Sequence, residues 1–259
     1  MPHSSLVAVN LPWAGLGNRL RFTLSAHAIA QATGREFSYV WPTGPDDFGA
    51  PMADLWQYSA RELERIDFSN ALSVEDDLTA LGDRAEWIIR SAYALRYDGT
   101  ERSWEDLFRE LPLAPDTESL KQEVASEFGA DTYVGIQMRL HPKAHRKTLD
   151  RSPLEWYVGR MHKFLQEDPD TRFYVSCDEP EVQATILRAF PTAFAIDDKG
   201  GYNSRRALET TVVDLYLLAE SERIVAPHFS SLTYLAWVLS GKRQPFEDSV
   251  WVRYPVQAN

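Results

Sequence analysis

The sequence predicts an α/β protein built from parallel sheets with helices on both faces. Short apolar strands alternate with helical segments through the second half, and a strand-turn-helix-strand unit opens the chain. Polar residues follow several of the strands directly. The 259 residues, 44% hydrophobic and 25% charged, have ordinary globular composition and suffice for two small domains. We expect these domains over residues 1–125 and 126–259.

Charge and cysteine content exclude several function classes. A net charge of −11 argues against nucleic acid or an anionic membrane as the main partner. The single cysteine, Cys177, cannot form an intrachain disulfide and lies in an apolar run typical of a core thiol. The sequence contains no apolar run of about 18 residues and no signal-peptide pattern at its start. We therefore expect a cytoplasmic protein without a membrane span.

The first half opens with a strand over residues 6–9, a glycine-containing turn and a helix over 19–33. Asn18 is the expected N-cap of this helix and Gly34 its C′ residue. A second strand over 37–41 should run parallel to the first.

The turn before this helix reads Gly15-Leu16-Gly17-Asn18, which lacks the third glycine of a dinucleotide fingerprint. A nicotinamide site is therefore not predicted. Two glycines at a helix start favour an anion or a sugar ring, although a tight turn alone also explains them.

The middle of the chain is less regular. A strand is predicted over 87–89, and the acidic segment 104–128 predicts helices broken at Pro112 and Pro115. Asp46 and Asp47 lie in a loop that can reach a cleft or face water.

The second half predicts its elements more clearly. Ser152-Pro153-Leu154-Glu155 is a capping-box pattern for a helix that ends near residue 166. Asp178 is expected to cap the helix that follows the strand 172–177. Further strands are predicted over 193–196 and 223–226, and further helices over 206–219 and 231–240.

Arg139 ends a strand and precedes a loop with three Lys/Arg and two His in seven residues, 141–147. Asp178 follows a second strand, and Ser230 and Ser231 begin a helix after a third. In a doubly wound sheet these carboxyl ends share one edge, where loops bind ligands. A guanidinium beside a helix N-terminus suits a phosphate or diphosphate. The alternative for Arg139 is a structural ion pair, for example to Asp178.

Other polar residues leave alternatives open. Asp214 lies in an apolar helical setting and needs a partner, either a base edge such as guanine or Arg205 or Arg206. His141 and His145 lack a third metal ligand, so no metal site is predicted. A Ser231–His228–Asp214 hydrolase triad lacks the Gly-x-Ser-x-Gly elbow. Three tryptophans are expected in the core: Trp156, Trp237 and Trp251.

Three C-terminal motifs together resemble the fucosyltransferase superfamily, which includes α-1,6- and protein O-fucosyltransferases and bacterial nodulation fucosyltransferases. The motifs are Gln137-Met138-Arg139 with Lys143, then 177–181, and 214–219 with Phe229-Ser230-Ser231 beyond it. The glycine-asparagine turn 15–18 resembles their N-terminal turn. The resemblance covers about residues 10–40 and 133–241.

This resemblance implies a GT-B-like fold, with two Rossmann-like halves facing a cleft and a reduced N-terminal half. It also implies a GDP-sugar donor, with GDP-fucose the expected one, used with inversion and without metal or other cofactor. Arg139 and Ser231 match residues that meet the donor's β-phosphate, and Lys143 a nearby lysine. Asp214 matches a guanine-recognising acid. The remaining donor-site positions implied are Gly17, Asn18, Gln137, Asp178 and Ser230.

The sequence departs from the family at several positions. Gln137 replaces a histidine, and Lys147 stands where the α-1,6 enzymes place a glutamate base. Candidate bases are then Asp46, Asp47 and Glu209. The sequence therefore predicts a fucosyltransferase-like glycosyltransferase, in which Arg139 stabilises the leaving diphosphate and the acceptor, a glycan, peptide or small molecule, is not identified. The alternative is a catalytically silent nucleotide- or glycan-binding protein on the same fold.

Overall fold

The computed structural model describes residues 4–44, 48–64, 66, 72–73, 78, 82, 84–129 and 132–253. The chain forms two compact units, Met1–Thr117 with Gly200–Glu209, and Glu118–Lys199 with Thr210–Asn259. The predicted domain boundary at residue 125 stays a prediction. Asp46 and Asp47, proposed as bases, lie outside the described residues.

The first unit is built on a parallel sheet of strand order β3-β2-β1-β5-β4. Its strands β1 and β2 pair in parallel, as predicted, and β5 pairs with the other side of β1. The strands are β1 (Ser5–Asn10), β2 (Glu36–Val40), β3 (Arg61–Glu62), β4 (Leu72–Ser73) and β5 (Glu86–Ser91), and the helices are α1 (Leu16–Ala32), α2 (Met52–Leu55) and α3 (Trp104–Arg109).

Helix α1 begins earlier than its sequence predicts. Gly15, with extended backbone, is the N-cap, so the prediction that Asn18 caps this helix is wrong. The Asn18 side chain instead accepts a hydrogen bond from Arg21 Nη2 at 2.6 Å, inside the first turn. At the other end Gly34 has a φ of 63°, which confirms it as the C′ residue that ends the helix.

Arg19 is fully buried and organises the loops that follow β1 and β2. Its guanidinium donates to the carbonyl oxygens of Ala14 at 2.7 Å, Pro12 at 2.6 Å and Pro42 at 2.5 Å. Its Cζ lies 4.0 Å from the centre of the Phe48 ring. The loop between β1 and α1 is therefore held by side-chain hydrogen bonds to its backbone.

The second unit is built on a sheet of order β11-β10-β9-β6-β7-β8, in which β11 alone pairs antiparallel. Two of its helices, Pro115–Phe128 and Arg205–Glu220, begin in segments assigned to the first unit. The strands are β6 (Val134–Met138), β7 (Phe173–Cys177), β8 (Ala193–Phe194), β9 (Arg223–Val225), β10 (Phe246–Glu247) and β11 (Val252–Arg253). The helices are α4 (Pro115–Phe128), α5 (Arg146–Arg151), α6 (Leu154–Glu167), α7 (Pro180–Ala189), α8 (Arg205–Glu220) and α9 (Ser231–Leu239).

Strands β6 and β7 are neighbouring interior strands of the second sheet. Both are buried at every position, which matches their continuous apolar sequences. Trp237 is buried as predicted, whereas Trp251 is 60% exposed, so its core assignment is wrong. No helix in the described residues is both long and apolar enough to cross a membrane.

The capping box predicted at Ser152 is also wrong. Helix α6 has Pro153 as its N-cap and no side-chain cap. Ser152 is fully buried, and its Oγ accepts a hydrogen bond from the backbone N–H of His228 at 2.8 Å. The Ser152 hydroxyl therefore accepts from a residue distant in sequence and does not cap the adjacent helix.

Candidate functional site

The strand register of the second unit places several predicted site residues at one edge. Met138 pairs with Cys177 across β6 and β7, so Arg139 and Asp178 follow at equivalent positions. Ile136 pairs with Val225 across β6 and β9, so the segment leading to Ser230 leaves from the same edge. The carboxyl ends of these parallel strands form the candidate site, as the sequence predicts.

Arg139 follows a strand end that is held by a backbone hydrogen bond, and its side chain is available to a ligand. The carbonyl oxygen of Met138 accepts from the N–H of Asp178 at 3.3 Å, which ties the two strand ends together. Within the described residues the Arg139 guanidinium has no ion pair or hydrogen bond, so the expected alternative of an Arg139–Asp178 pair is wrong. A half-buried guanidinium in this position can bind an anion.

Asp178 positions the loop beyond Arg139 rather than capping α7. Its Oδ1 accepts from the N–H of Leu140 at 2.6 Å and of His141 at 3.0 Å. The N-cap of α7 is Glu179, which makes no side-chain cap, so the predicted capping role of Asp178 is wrong. Its predicted place in a nucleotide site stays a prediction.

Helix α9 presents its N-terminus to this edge. Ser230 is its N-cap and accepts from the N–H of Thr233, while its hydroxyl donates to Gln137 Oε1 at 2.6 Å. Gln137 is buried on β6, so this bond fixes the start of α9 against the central strand. The first amides of the helix, from Ser231 onward, lack partners within the helix, and the dipole favours an anion there.

Asp214 is buried and already has its hydrogen bonds within the protein. Its carboxylate accepts from the hydroxyls of Tyr174 and of Ser176, the latter at 2.8 Å. Lys199 Nζ lies 2.9 Å from Oδ2 and 3.2 Å from Oδ1. The expected pairing with Arg205 or Arg206 is wrong, because Arg205 pairs with Asp54 and Glu209 and the Asp214 partner is Lys199.

Sequence reasoning missed Lys199, Tyr174 and Ser176 as partners of Asp214. Tyr174 and Ser176 are two apart on β7, so their side chains share one face of the sheet, and that alternation was the available signal. Lys199 follows β8 in an irregular segment and carried no signal. Burial and the Asp214 charge raise the pKa of the Tyr174 hydroxyl, so it stays protonated and donates.

The basic loop 141–147 is exposed and locally folded. Lys143 is exposed, and its backbone N–H donates to His141 Nδ1 at 3.1 Å. His145 caps α5 by accepting from the N–H of Lys147, and its ring stacks on Phe229 with centroids 6.0 Å apart. Among the residues that the structure describes, no group of three or more His, Cys, Asp or Glu can hold a metal ion.

Gly17 and Asn18 belong to the first unit, where both lie in the first turn of α1. Glu209, proposed as a base, accepts from Arg205 Nε at 2.9 Å. The structure does not test the assignment of these residues to a donor or acceptor site.

Two further alternatives are resolved by contacts in the second unit. The carboxylate nearest His228 is Asp248, with Nδ1 and Oδ2 3.3 Å apart, so the Ser231–His228–Asp214 arrangement is not formed. Burial raises the pKa of Cys177 to about 11, which agrees with an inert core thiol.

The fold prediction is confirmed: the chain is a mixed α/β protein with two parallel-sheet regions of the GT-B-like kind. No family model matches the sequence, and no curated protein sequence matches it. Solved structures do match, and structures of fucosyltransferases are among them.

A crystal structure of the fucosyltransferase NodZ from Bradyrhizobium covers 91% of this chain and 93% of its own, with a TM-score of 0.63 and 16% identity. A mutant of Arabidopsis thaliana FUT1 in complex with GDP covers 94% of this chain and 70% of its own, at a TM-score of 0.58 and 14% identity. POFUT1 in complex with GDP-fucose covers 92% and 94%, at 0.56 and 11%. The chain therefore shares the fold of these structures, which is the fold that the sequence resemblance implies.

Proposed function

We propose that the protein is a glycosyltransferase that moves a sugar from a GDP-sugar, with fucose as the sugar, to an acceptor hydroxyl. The fold it shares with NodZ and POFUT1, structures of which contain GDP or GDP-fucose, supports a nucleotide-sugar donor. The observation that carries the proposal is the uncommitted Arg139 guanidinium at the edge where α9 begins.

The proposed chemistry follows from where charge develops. As the bond between the anomeric carbon and the diphosphate breaks, negative charge builds on the leaving oxygens. The Arg139 guanidinium supplies a fixed positive charge for those oxygens, and the N-terminal N–H groups of α9 supply fixed dipoles. Because the negative charge on the oxygens is larger in the transition state than in the ground state, these groups stabilise the transition state more. Lys143, on the same loop, adds a cation. We propose on this basis an inverting transfer that needs no resident metal.

The Asp-x-Asp pair of the second unit does not lie where a donor-site metal would be needed. Asp168 ends α6, and its Oδ1 accepts from the N–H of Asp170 at 3.1 Å, before β7 begins. This places the pair at the amino end of β7, opposite the edge that carries Arg139.

Calorimetric titration with GDP, UDP, ADP and GDP-fucose, without added metal, tests the donor site. We expect selective binding of the guanine nucleotides and a loss of at least tenfold in affinity for Arg139→Ala, since removing a charge-assisted bond costs about 1.5–3 kcal/mol. Arg146→Ala is the matched control, because the Arg146 side chain is 92% exposed on the same loop and pairs with Asp150.

The outcomes separate the candidate functions. No binding of any nucleoside diphosphate would overturn the transferase proposal. Equal losses of affinity in Arg139→Ala and Arg146→Ala would show that binding depends on the total charge of the loop and not on a specific contact of Arg139. Binding of GDP-fucose with no GDP release in any acceptor mixture would favour the alternative, a catalytically silent binding protein. That alternative rests on Lys147, which occupies the position of the family's glutamate base.

A further inference from the structure

A histidine–aspartate pair lies at the same edge of the second sheet, outside the residues assigned above. His228 follows β9 and Asp248 follows β10, the neighbouring strand. The His228 Nδ1 and Asp248 Oδ2 are 3.3 Å apart, and the two side chains are 15% and 11% exposed. The pair is therefore largely enclosed but not sealed from solvent.

Hydrogen bonds on both sides hold this pair in place. Asp248 Oδ1 accepts from the N–H groups of Val250 at 2.7 Å and Trp251 at 2.8 Å, which leaves Oδ2 for the histidine. The backbone N–H of His228 donates to the buried Ser152 Oγ at 2.8 Å. The Asp248 carboxylate is thus positioned by backbone N–H groups of its own loop, and the His228 backbone by the Ser152 hydroxyl, as a preorganised catalytic pair requires.

The arrangement sets which nitrogen of His228 can accept a proton. A carboxylate accepts only, so Nδ1 carries the hydrogen and Nε2 carries the lone pair. In the described part of the chain, Nε2 has no hydrogen-bond partner. A neutral imidazole oriented by a carboxylate, with its second nitrogen available, is the arrangement of a general base.

The strand register places this base next to the proposed phosphate site. Ile136 pairs with Val225, so Arg139 and His228 each stand three residues beyond one paired position on neighbouring strands. Such strands are about 4.8 Å apart. His228 also precedes the N-cap Ser230 by two residues.

The residue between them is strained. Phe229 has a φ of 65°, a conformation that costs a bulky residue about 1–3 kcal/mol and is found most often at functional sites. Its ring is 67% exposed and contacts the His228 ring edge-on, with centroids 5.1 Å apart. Because the ring is exposed, hydrophobic burial does not explain this backbone conformation. We attribute it to the position that it gives His228 relative to the start of α9.

We propose that His228, oriented by Asp248, is the general base that activates the acceptor, an inference that rests on the proposed transferase function. Nε2 takes the proton of the acceptor hydroxyl while its oxygen bonds to the anomeric carbon. The bond from that carbon to the diphosphate breaks, and its electron pair leaves on the nucleoside diphosphate. Asp248 stabilises the imidazolium, which then releases its proton to water.

GDP release from GDP-fucose tests this without knowledge of the natural acceptor. With water as acceptor, we expect His228→Gln to slow GDP release by roughly 10²–10⁴-fold, the usual contribution of a general base, with GDP affinity within about twofold of wild type. Azide is already anionic and needs no base. Azide should therefore restore GDP release in His228→Gln, with formation of a fucosyl azide, but not in Arg139→Ala.

Asp248→Asn and His162→Gln complete the comparison. Asp248→Asn should give a smaller loss that azide also rescues, and it serves if His228→Gln fails to fold. His162 is exposed on α6 and its ring contacts Phe190 at a tilted angle, away from the residues of the proposed site, so His162→Gln should behave as wild type. A purely structural role for His228 would lower GDP release in a way that azide does not restore.

The failures can be told apart. Wild-type GDP release that is unchanged in His228→Gln, or a loss that azide leaves unrescued, overturns the base and leaves the transferase proposal intact. Absence of GDP-fucose binding to the wild type overturns the proposed function itself. If the wild type binds GDP-fucose but releases no GDP with either water or azide, the general-base proposal for His228 is overturned, and the catalytically silent binding protein is favoured.

Discussion

At the scale of single residues, Asp214 shows how a buried carboxylate is satisfied by partners within the protein. Its two oxygens receive four hydrogen bonds from Tyr174, Ser176 and Lys199. A carboxylate has about four lone-pair positions, so these contacts occupy it. The Asp214 side chain is 5% exposed and the Lys199 side chain 16%, so the two form a buried ion pair in which each charge depends on the other for stabilisation.

We therefore predict that Asp214→Asn lowers the free energy of unfolding by about 3–5 kcal/mol with no nucleotide present, because it leaves the Lys199 ammonium without its counter-charge. Urea denaturation measures this directly. Asp150→Asn is the control, since the exposed Arg146–Asp150 pair should contribute less than about 1 kcal/mol. Unchanged stability combined with lost GDP binding would contradict the structural account and restore the guanine-recognition prediction.

His27 is a second residue whose surroundings make a measurable prediction. It stacks on Phe37 at 4.7 Å, and its Nδ1 lies 2.7 Å from the Tyr58 hydroxyl. Burial, and then the charge of Arg102, lower its pKa below the ordinary value of 6.5. The unfolded chain therefore binds this proton more readily than the folded chain, and folding stability from this residue is lost as pH falls below 6.5.

The matching experiment compares the pH dependence of unfolding in wild type and His27→Gln. The stability difference between them should shift in favour of the variant between about pH 7 and pH 5, since glutamine has no proton to bind. His162→Gln, at an exposed position, should leave the wild-type dependence unchanged. Parallel curves for wild type and His27→Gln would show that burial does not lower this pKa.

At the scale of elements, β6 depends on a glycine to pack against α8. A Cβ at Gly135 would lie 2.7 Å from Ser221 Oγ and 3.0 Å from Leu218 Cδ2. Ser221 is buried and its hydroxyl donates to the Leu218 carbonyl, so neither neighbour can move easily. Gly135 therefore sets how closely the central strand approaches the helix.

Gly135→Ala should accordingly destabilise the protein by about 1–3 kcal/mol through overpacking. Gly159→Ala gives the opposite sign: Gly159 lies inside α6, where an added Cβ would meet nothing within 4 Å, so alanine should stabilise by about 0.5–1 kcal/mol. Thermal and urea unfolding of both variants provide the measurement. Stabilisation by Gly135→Ala would mean that α8 and β6 have room to separate.

Elements with long apolar runs or amphipathic periods were predictable from sequence. Strand β7 and helices α6 and α9 lie within about two residues of their predicted bounds. The two-residue strands β10 and β11 carry no periodicity, and so the carboxylate that follows β10 was not predicted.

Side-chain partners were less predictable than elements, for a consistent physical reason. Ser152 and Asp178 have the chemistry and the position of helix caps, yet both accept hydrogen bonds from the backbone of distant segments. Local capping and long-range acceptance use the same oxygen atoms, and only the tertiary fold decides between them. The positions of Arg139 and Ser231 at one edge were predictable because strand order alone determines them.

At the scale of the whole molecule, an acidic chain is proposed to bind an anionic donor. The net charge of −11 repels a nucleoside diphosphate at long range. Local cations then decide binding, and the two that we propose for the donor, Arg139 and Lys143, follow β6. Binding to the folded protein alone must also raise its stability through mass action.

GDP should therefore raise the midpoint of thermal unfolding of the wild type. At about one hundred times the dissociation constant, the stabilisation is about 2.7 kcal/mol. For a chain of this size we expect a shift of several degrees, at roughly 2–4 °C per kcal/mol. Arg139→Ala should show little shift at the same GDP concentration, and ADP should shift neither protein. A shift of equal size with ADP would contradict guanine selectivity.

The hydrogen bonds of the buried Arg19 side chain determine when the loop between β1 and α1 loses its conformational freedom. With three carbonyl oxygens held by one buried guanidinium, that freedom is lost during folding and before any ligand arrives. A ligand that contacts this loop would then meet a surface with little left to order, and its association would carry a small entropic penalty and a small heat-capacity change from loop ordering. The loop conformation that a ligand would meet is therefore set when the protein folds.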